Sequence, residues 1–187
     1  MLQWLIDIDK GLFFAINSNH TGWLDWLMWE LSGGFFWLVA LFSIGFLLVK
    51  QYGKKSWILV LIAGALFAVS DQTSNYFKHT LKRERPTHNP EMIKGTHIVS
   101  DYKGGKYGFY SGHASNSFAL CTFAFFLLRR RLKGAYLLFA FAFLTSYSRI
   151  YLGVHYPFDI LMGAGMGMMF GLLFYVIVTK TKLVKES

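Results

Sequence analysis

Across positions 57–77 the chain carries one charged side chain, Asp71. A helix of about 20 residues rises roughly 30 Å, the thickness of a bilayer hydrocarbon core. Four further apolar blocks lie at 35–49, 113–128, 135–148 and 158–178, separated by polar or basic segments. Their apolar residues run in near-continuous blocks, without the one-sided spacing of a helix on a soluble core. The pattern predicts an all-α, polytopic membrane helix bundle with about five to six transmembrane helices, in a single domain over 1–187. The 35–49 block is brief alone, and residues before Gly33 are expected to extend it. Ser70, Asp71, Gln72, Ser74 and Asn75 make the end of the 57–77 block polar, so that end should face protein or water.

The first 34 residues are more broken. Leu5, Ile8, Leu12, Ala15 and Ile16 fall on one helical face, beside Asp7, Asp9 and Lys10. This predicts an interfacial N-terminal helix. No basic stretch precedes an apolar one, so no cleavable signal peptide is expected. Aromatics make up 19% of the chain, and many stand at block ends, as in an interfacial belt. Cys121 is the only cysteine and lies within an apolar block, which excludes a disulfide framework and a cysteine metal site. Gly163, Gly165, Gly167 and Gly171 form a small-residue stripe suited to close helix packing.

The net charge is +9, and its placement is informative. Basic residues cluster at 50–55, at 129–133 and after Thr179, on one side of the predicted bundle. The positive-inside rule makes that side cytoplasmic. Segments 1–34, 78–113 and 148–159 then lie outside. The outside loop breaks the rule with Lys82, Arg83, Arg85, Lys94, Lys103 and Lys106. A solvated loop is the plain reading of such charges, and an anion-binding site is the functional one. No nucleic-acid module is present, and nucleic acid is excluded as a partner.

Three clusters fall on that outer side. They are Lys78 with Arg85 and Pro86; Ser111, Gly112 and His113; and Ser148 and Arg149 with His155 and Asp159. Each residue type suits phosphoryl transfer, where catalysis is positioning and charge stabilisation. Lys78, Arg85 and Arg149 supply cations, and arginine can hold phosphate bidentately. Ser111 and Gly112 open a predicted helix whose free N–H groups favour an anion. His155 and Asp159, four residues apart, share a face if a helix starts there. The carboxylate would hold one ring nitrogen and leave the other to attack, with His113 as acid and base. Asp71 divides evenly between a structural and a functional reading. His79, His88 and His97 fit no usual zinc spacing and read as loop residues. Glu84 and Asp101 read as local charge balance.

The pattern Lys-x6-Arg-Pro, Ser-Gly-His and Ser-Arg-x5-His-x3-Asp resembles the type 2 phosphatidic acid phosphatase superfamily over residues 78–159. The resemblance implies a metal-independent membrane lipid phosphatase with no cofactor. His155 would be the nucleophile and His113 the acid–base, beside Asp159. Lys78, Arg85, Ser111, Gly112 and Arg149 would bind phosphate. Tyr110 departs from the proline usual before Ser-Gly-His, which touches substrate fit. The expected substrate is a lipid phosphate or diphosphate, foremost undecaprenyl diphosphate at the outer face of a bacterial inner membrane. Phosphatidylglycerophosphate, phosphatidic acid and lipid A 1-phosphate are the alternatives. Vanadate-dependent haloperoxidases share the motif but are soluble. A non-catalytic lipid-binding protein would not need His113, His155 and Asp159 together.

Overall fold

Helix boundaries follow the punctuation of the sequence. A computed structural model describes residues 2–181. Seven α-helices appear among the described residues: α1 (Leu2–Asn17), α2 (Gly22–Ser32), α3 (Gly34–Tyr52), α4 (Ser56–Leu81), α5 (Gly112–Leu128), α6 (Leu138–Tyr151) and α7 (Pro157–Lys180). Extended backbone at Gly33 separates α2 from α3. Gly53, at φ +54°, breaks α3 from α4, a conformation that costs glycine little. Pro157 occupies the first turn of α7, where its missing N–H removes no helical bond.

The helix α5 is buried along most of its length and packs against α4, α6 and α7. Its closest partner is α7, because glycines let the two backbones meet. A Cβ on Gly163 would lie 2.6 Å from the Ser111 carbonyl oxygen, and one on Gly171 would lie 2.5 Å from that of Ala119. Gly167 faces Ser115 in the same way. Gly165 points into open space and is not part of the stripe. Leu48, Leu59, Leu66, Phe123, Leu128 and Val178 form the main apolar core.

Outward positions are also apolar. Phe35, Phe42 and Phe46 on α3, Trp57 and Leu61 on α4, and Leu161 and Leu173 on α7 are all exposed. Such a surface suits lipid rather than water. The helical stretch Gly34–Leu81 and α7 are long and apolar enough to cross a membrane, with mean hydropathies of 1.7 and 2.0. The turn at Gly53–Lys55 divides the first stretch in two. At 17 and 14 residues, α5 and α6 are shorter.

The N-terminal helix packs on the bundle through a face other than its apolar stripe. Asp9, Phe13 and Asn17 are fully buried, while Ile8 and Leu12 are exposed. Phe13 packs on Tyr156, and Asn17 binds backbone carbonyls of His97 and Tyr151. Asp9, Phe13 and Asn17, rather than the apolar stripe, seat α1 on the bundle.

Candidate active site

Segment 82–111 is shaped by backbone bonds before its side chains act. Lys82 adopts a left-handed conformation that ends α4. The Arg85 N–H donates to Lys106 O (3.0 Å), and the Gly108 N–H donates to Arg83 O (2.8 Å). Arg85 Nε donates to Tyr107 O at 3.1 Å, which fixes its guanidinium. Gly104, at φ +64°, lies against that guanidinium, and a side chain there would collide with it.

Ser111 caps α5, its Oγ accepting from the Ala114 N–H at 3.4 Å. That leaves Gly112 and His113 in the first turn. A Cβ on Gly112 would lie 3.2 Å from Lys78 Nζ, so the glycine permits the lysine's approach. Arg149, near the end of α6, is held by Ser32 and by the Tyr102 hydroxyl. The backbone turns at Gly153, at φ +78°, and presents His155. His155 Nδ1 lies 3.3 Å from Asp159 Oδ2, which also accepts the Tyr156 N–H at 3.0 Å. That contact makes Nδ1 the protonated nitrogen and leaves the opposite edge of the ring free.

Three sequence clusters thus meet at one cavity of about 360 Å³. Lys78, Arg85, Gly112, His113, Arg149 and His155 line it. Ser111 and Asp159, also expected there, are fully buried behind the wall. Asp71 and Asn116 add polar groups, and Trp37, Phe67 and Tyr102 an aromatic side. Asp71 accepts from Asn75 and Asn116, and Asn75 in turn accepts from Lys78. Burial, then the cations Arg85, Arg149, Lys78 and Arg83, holds His155 well below the ordinary imidazole range. The ring is therefore neutral near pH 7, with a lone pair available. The cavity can hold a tetrahedral anion between three cations and two imidazoles.

The basic loop is less of an anion site than its composition suggested. Only Arg85 of its six cations lines the cavity. Arg83 is bound by Asp9 and Asp159, and Lys106 lies 3.2 Å from Glu84. Of His79, His88 and His97, none lines the cavity, and His79 lies in the last turn of α4 rather than in the loop as expected. His97 is structural, with Nε2 2.9 Å from Asp25 and its ring stacked on His20. Tyr110 is fully buried beside Phe77 rather than at the cavity. Among the described residues, no three His, Cys, Asp or Glu side chains group as a metal site. Sequence reasoning missed Asp9, Ser32 and Tyr102, which lie far along the chain from the residues they hold. Arg83 could have been singled out, since it falls inside the Lys78 to Arg85 motif.

Residues 56–183 match the PAP2 superfamily. The chain is 38% identical over 184 residues to a lipid A 4'-phosphatase of Bacteroides thetaiotaomicron, covering 96% of this chain and 81% of the relative. It is 32% identical over 178 residues to a lipid A 4'-phosphatase of Porphyromonas gingivalis, covering 93% and 74%. An undecaprenyl-diphosphatase of Sulfolobus acidocaldarius is 31% identical over 166 residues, covering 87% and 74%. The fold resembles a transmembrane PAP2-type phosphatidylglycerolphosphate phosphatase from Bacillus subtilis, with TM-score 0.71 and 22% identity over 97% of this chain and 88% of that one. It also resembles Aquifex aeolicus LpxE, with TM-score 0.67 and 23% identity over 88% and 92%.

Proposed function

The chain belongs to the PAP2 superfamily and is a membrane lipid phosphatase, and we propose that it removes a phosphate monoester from a lipid A-type glycolipid through a phosphohistidine at His155. The observation that carries the mechanism is His155 itself. It is a buried neutral imidazole, held at Nδ1 by Asp159, on the wall of a cavity lined by Lys78, Arg85 and Arg149.

Nε2 of His155 attacks phosphorus, and the bond from phosphorus to the lipid oxygen breaks. His113, protonated, gives its proton to that leaving oxygen. Water then attacks the phosphohistidine, passes a proton to His113, and inorganic phosphate leaves as the P–N bond breaks. Lys78, Arg85, Arg149 and the first N–H groups of α5, at Gly112, balance the charge on the equatorial oxygens. Ser111 serves by capping α5 from behind. The imidazolium formed on His155 is offset by Asp159.

The lipid A assignment is supported by the two relatives of that name, each aligned over more than nine-tenths of this chain. Undecaprenyl diphosphate, the substrate expected first above, is the second reading, and the 31% identical relative favours it. The decisive experiment is phosphate release by the detergent-purified protein in EDTA, with His155→Ala as control. The panel is lipid A, undecaprenyl diphosphate, phosphatidylglycerophosphate and phosphatidic acid. Preference for lipid A, lost in the variant, supports the reading. Preference for undecaprenyl diphosphate moves the substrate, and full turnover by His155→Ala overturns the mechanism.

The site is assigned to the outer face of a bacterial inner membrane. In support, the lysines of the Gly53–Lys55 turn lie at the opposite end of α4 from Lys78. A membrane-impermeant thiol reagent should label Lys94→Cys in intact cells and Lys54→Cys only after permeabilisation. The reverse order would invert the topology.

A further inference from the structure

Asp9 is a fully buried carboxylate on α1, the helix expected to lie at the interface. Its Oδ2 lies 2.6 Å from Arg83 Nη2, and its Oδ1 accepts the Phe158 N–H at 2.9 Å. Phe158 is the second residue of α7, so Asp9 satisfies an N–H that has no partner within its own helix. Arg83 Nη1 lies 2.7 Å from Asp159 Oδ1, whose other oxygen faces His155. The Arg83 guanidinium also sits over the Tyr156 ring, 4.1 Å from its centroid. One chain of contacts thus runs from α1 through Arg83 and Asp159 to the imidazole.

Resting on the phosphatase reading above, we propose that Asp9 is a positioning residue, which shares Arg83 so that Asp159 keeps a net negative charge facing His155. The charge count gives the reason. Asp9, Arg83 and Asp159 together carry one negative charge. Without Asp9, Arg83 would neutralise Asp159 alone and draw its carboxylate from the ring. The imidazolium that forms as phosphorus bonds to Nε2 would then lose its counter-charge. Buried charges interact strongly because little water screens them. Asp9 itself touches neither the cavity nor a phosphate-binding cation other than through this chain, so it should affect turnover and not substrate capture. Burial holds the Asp9 carboxyl above the ordinary carboxylate range, and the Arg83 contact offsets only part of that rise.

The test uses Asp9→Asn, which keeps an acceptor for the Phe158 N–H and removes only the charge. Its kcat should fall about tenfold or more, with KM within about twofold. Asp9→Glu should restore part of the rate. The double variant Asp9→Asn with Arg83→Gln returns the group to one negative charge and should turn over faster than Asp9→Asn alone. A structural role would make the double variant worse. Asp7→Asn, the same change on an exposed position of α1, should match the wild type. An Asp9→Asn variant with wild-type kcat, or a double variant slower than the single one, overturns the proposal. The His155 Nδ1–H proton resonance gives a readout that needs no turnover. It should move upfield in Asp9→Asn as the bond to Asp159 weakens, and an unmoved resonance also overturns the proposal. A wild type that releases no phosphate from any lipid defeats the phosphatase reading, while the resonance still decides this one.

Discussion

The backbone N–H of Ser111 donates to the backbone carbonyl of Asp159 at 3.0 Å. This bond joins the cap of α5 to the first turn of α7. One turn further along, Gly163 packs against Ser111 O and Ala114. The proposed nucleophile and the N–H groups proposed for the phosphate therefore share one rigid frame, which suits a reaction controlled by positioning.

Asp159→Asn should lower kcat on the order of 10²–10⁴-fold, the range for loss of a group that orients a catalytic imidazole. KM should change little, because Asp159 lies behind the cavity wall. Steady-state phosphate release measures both. A rate within about threefold of wild type would show that His155 does not need the carboxylate.

Arg85→Lys should keep the charge and lose the planar fork. Arg85 Nε is already bound to Tyr107 O, so the guanidinium is oriented before phosphate arrives. A drop in kcat/KM of about 10- to 100-fold is expected. Equal kcat/KM values would mean that Arg85 acts only as a point charge.

Gly167→Ala should destabilise the bundle by about 1–3 kcal/mol, since its methyl group would press on the backbone of Ser115 and lie 2.9 Å from Ala119 N. Gly165→Ala, two residues away, meets nothing within 4 Å and should leave stability equal or slightly higher. Thermal unfolding in detergent compares them. Equal losses would refute the close α5–α7 contact.

Lowering pH should weaken the fold through His155. Its folded pKa is depressed, so the unfolded chain takes up the proton first as pH falls. The stability contribution is complete above the unfolded value near 6.5 and is lost below it, by up to about 1.4 kcal/mol per pH unit. The Tm of the wild type should therefore drop more between pH 7 and 5.5 than that of His155→Gln. Parallel curves would show that the imidazole is not held neutral by the fold.

Hydropathy and turn residues were enough to locate α3, α4, α5 and α7 within a few positions, because burial in lipid acts on each segment separately. The ten motif residues from Lys78 to Asp159 were likewise visible by type and spacing. Helix direction then carried the three clusters to the same end, since each lies beside a helix terminus on that side. One expectation failed. The basic loop looked like an anion site, because composition does not reveal which charges are paired.

Sequence alone determined the membrane bundle, the residue types proposed to hold phosphate and the four-residue spacing of His155 and Asp159, although His155 stands two residues before α7 rather than in its first turn. Tertiary structure decided what stands behind them. Asp9 meets Arg83 across 74 positions and the Phe158 N–H across 149, and Ser32 meets Arg149 across 117. Such partners have no periodicity to betray them. They are selected when separate helices pack and give a buried charge a counter-charge, as Arg83 gives Asp9, or a neutral polar partner, as Ser32 gives Arg149.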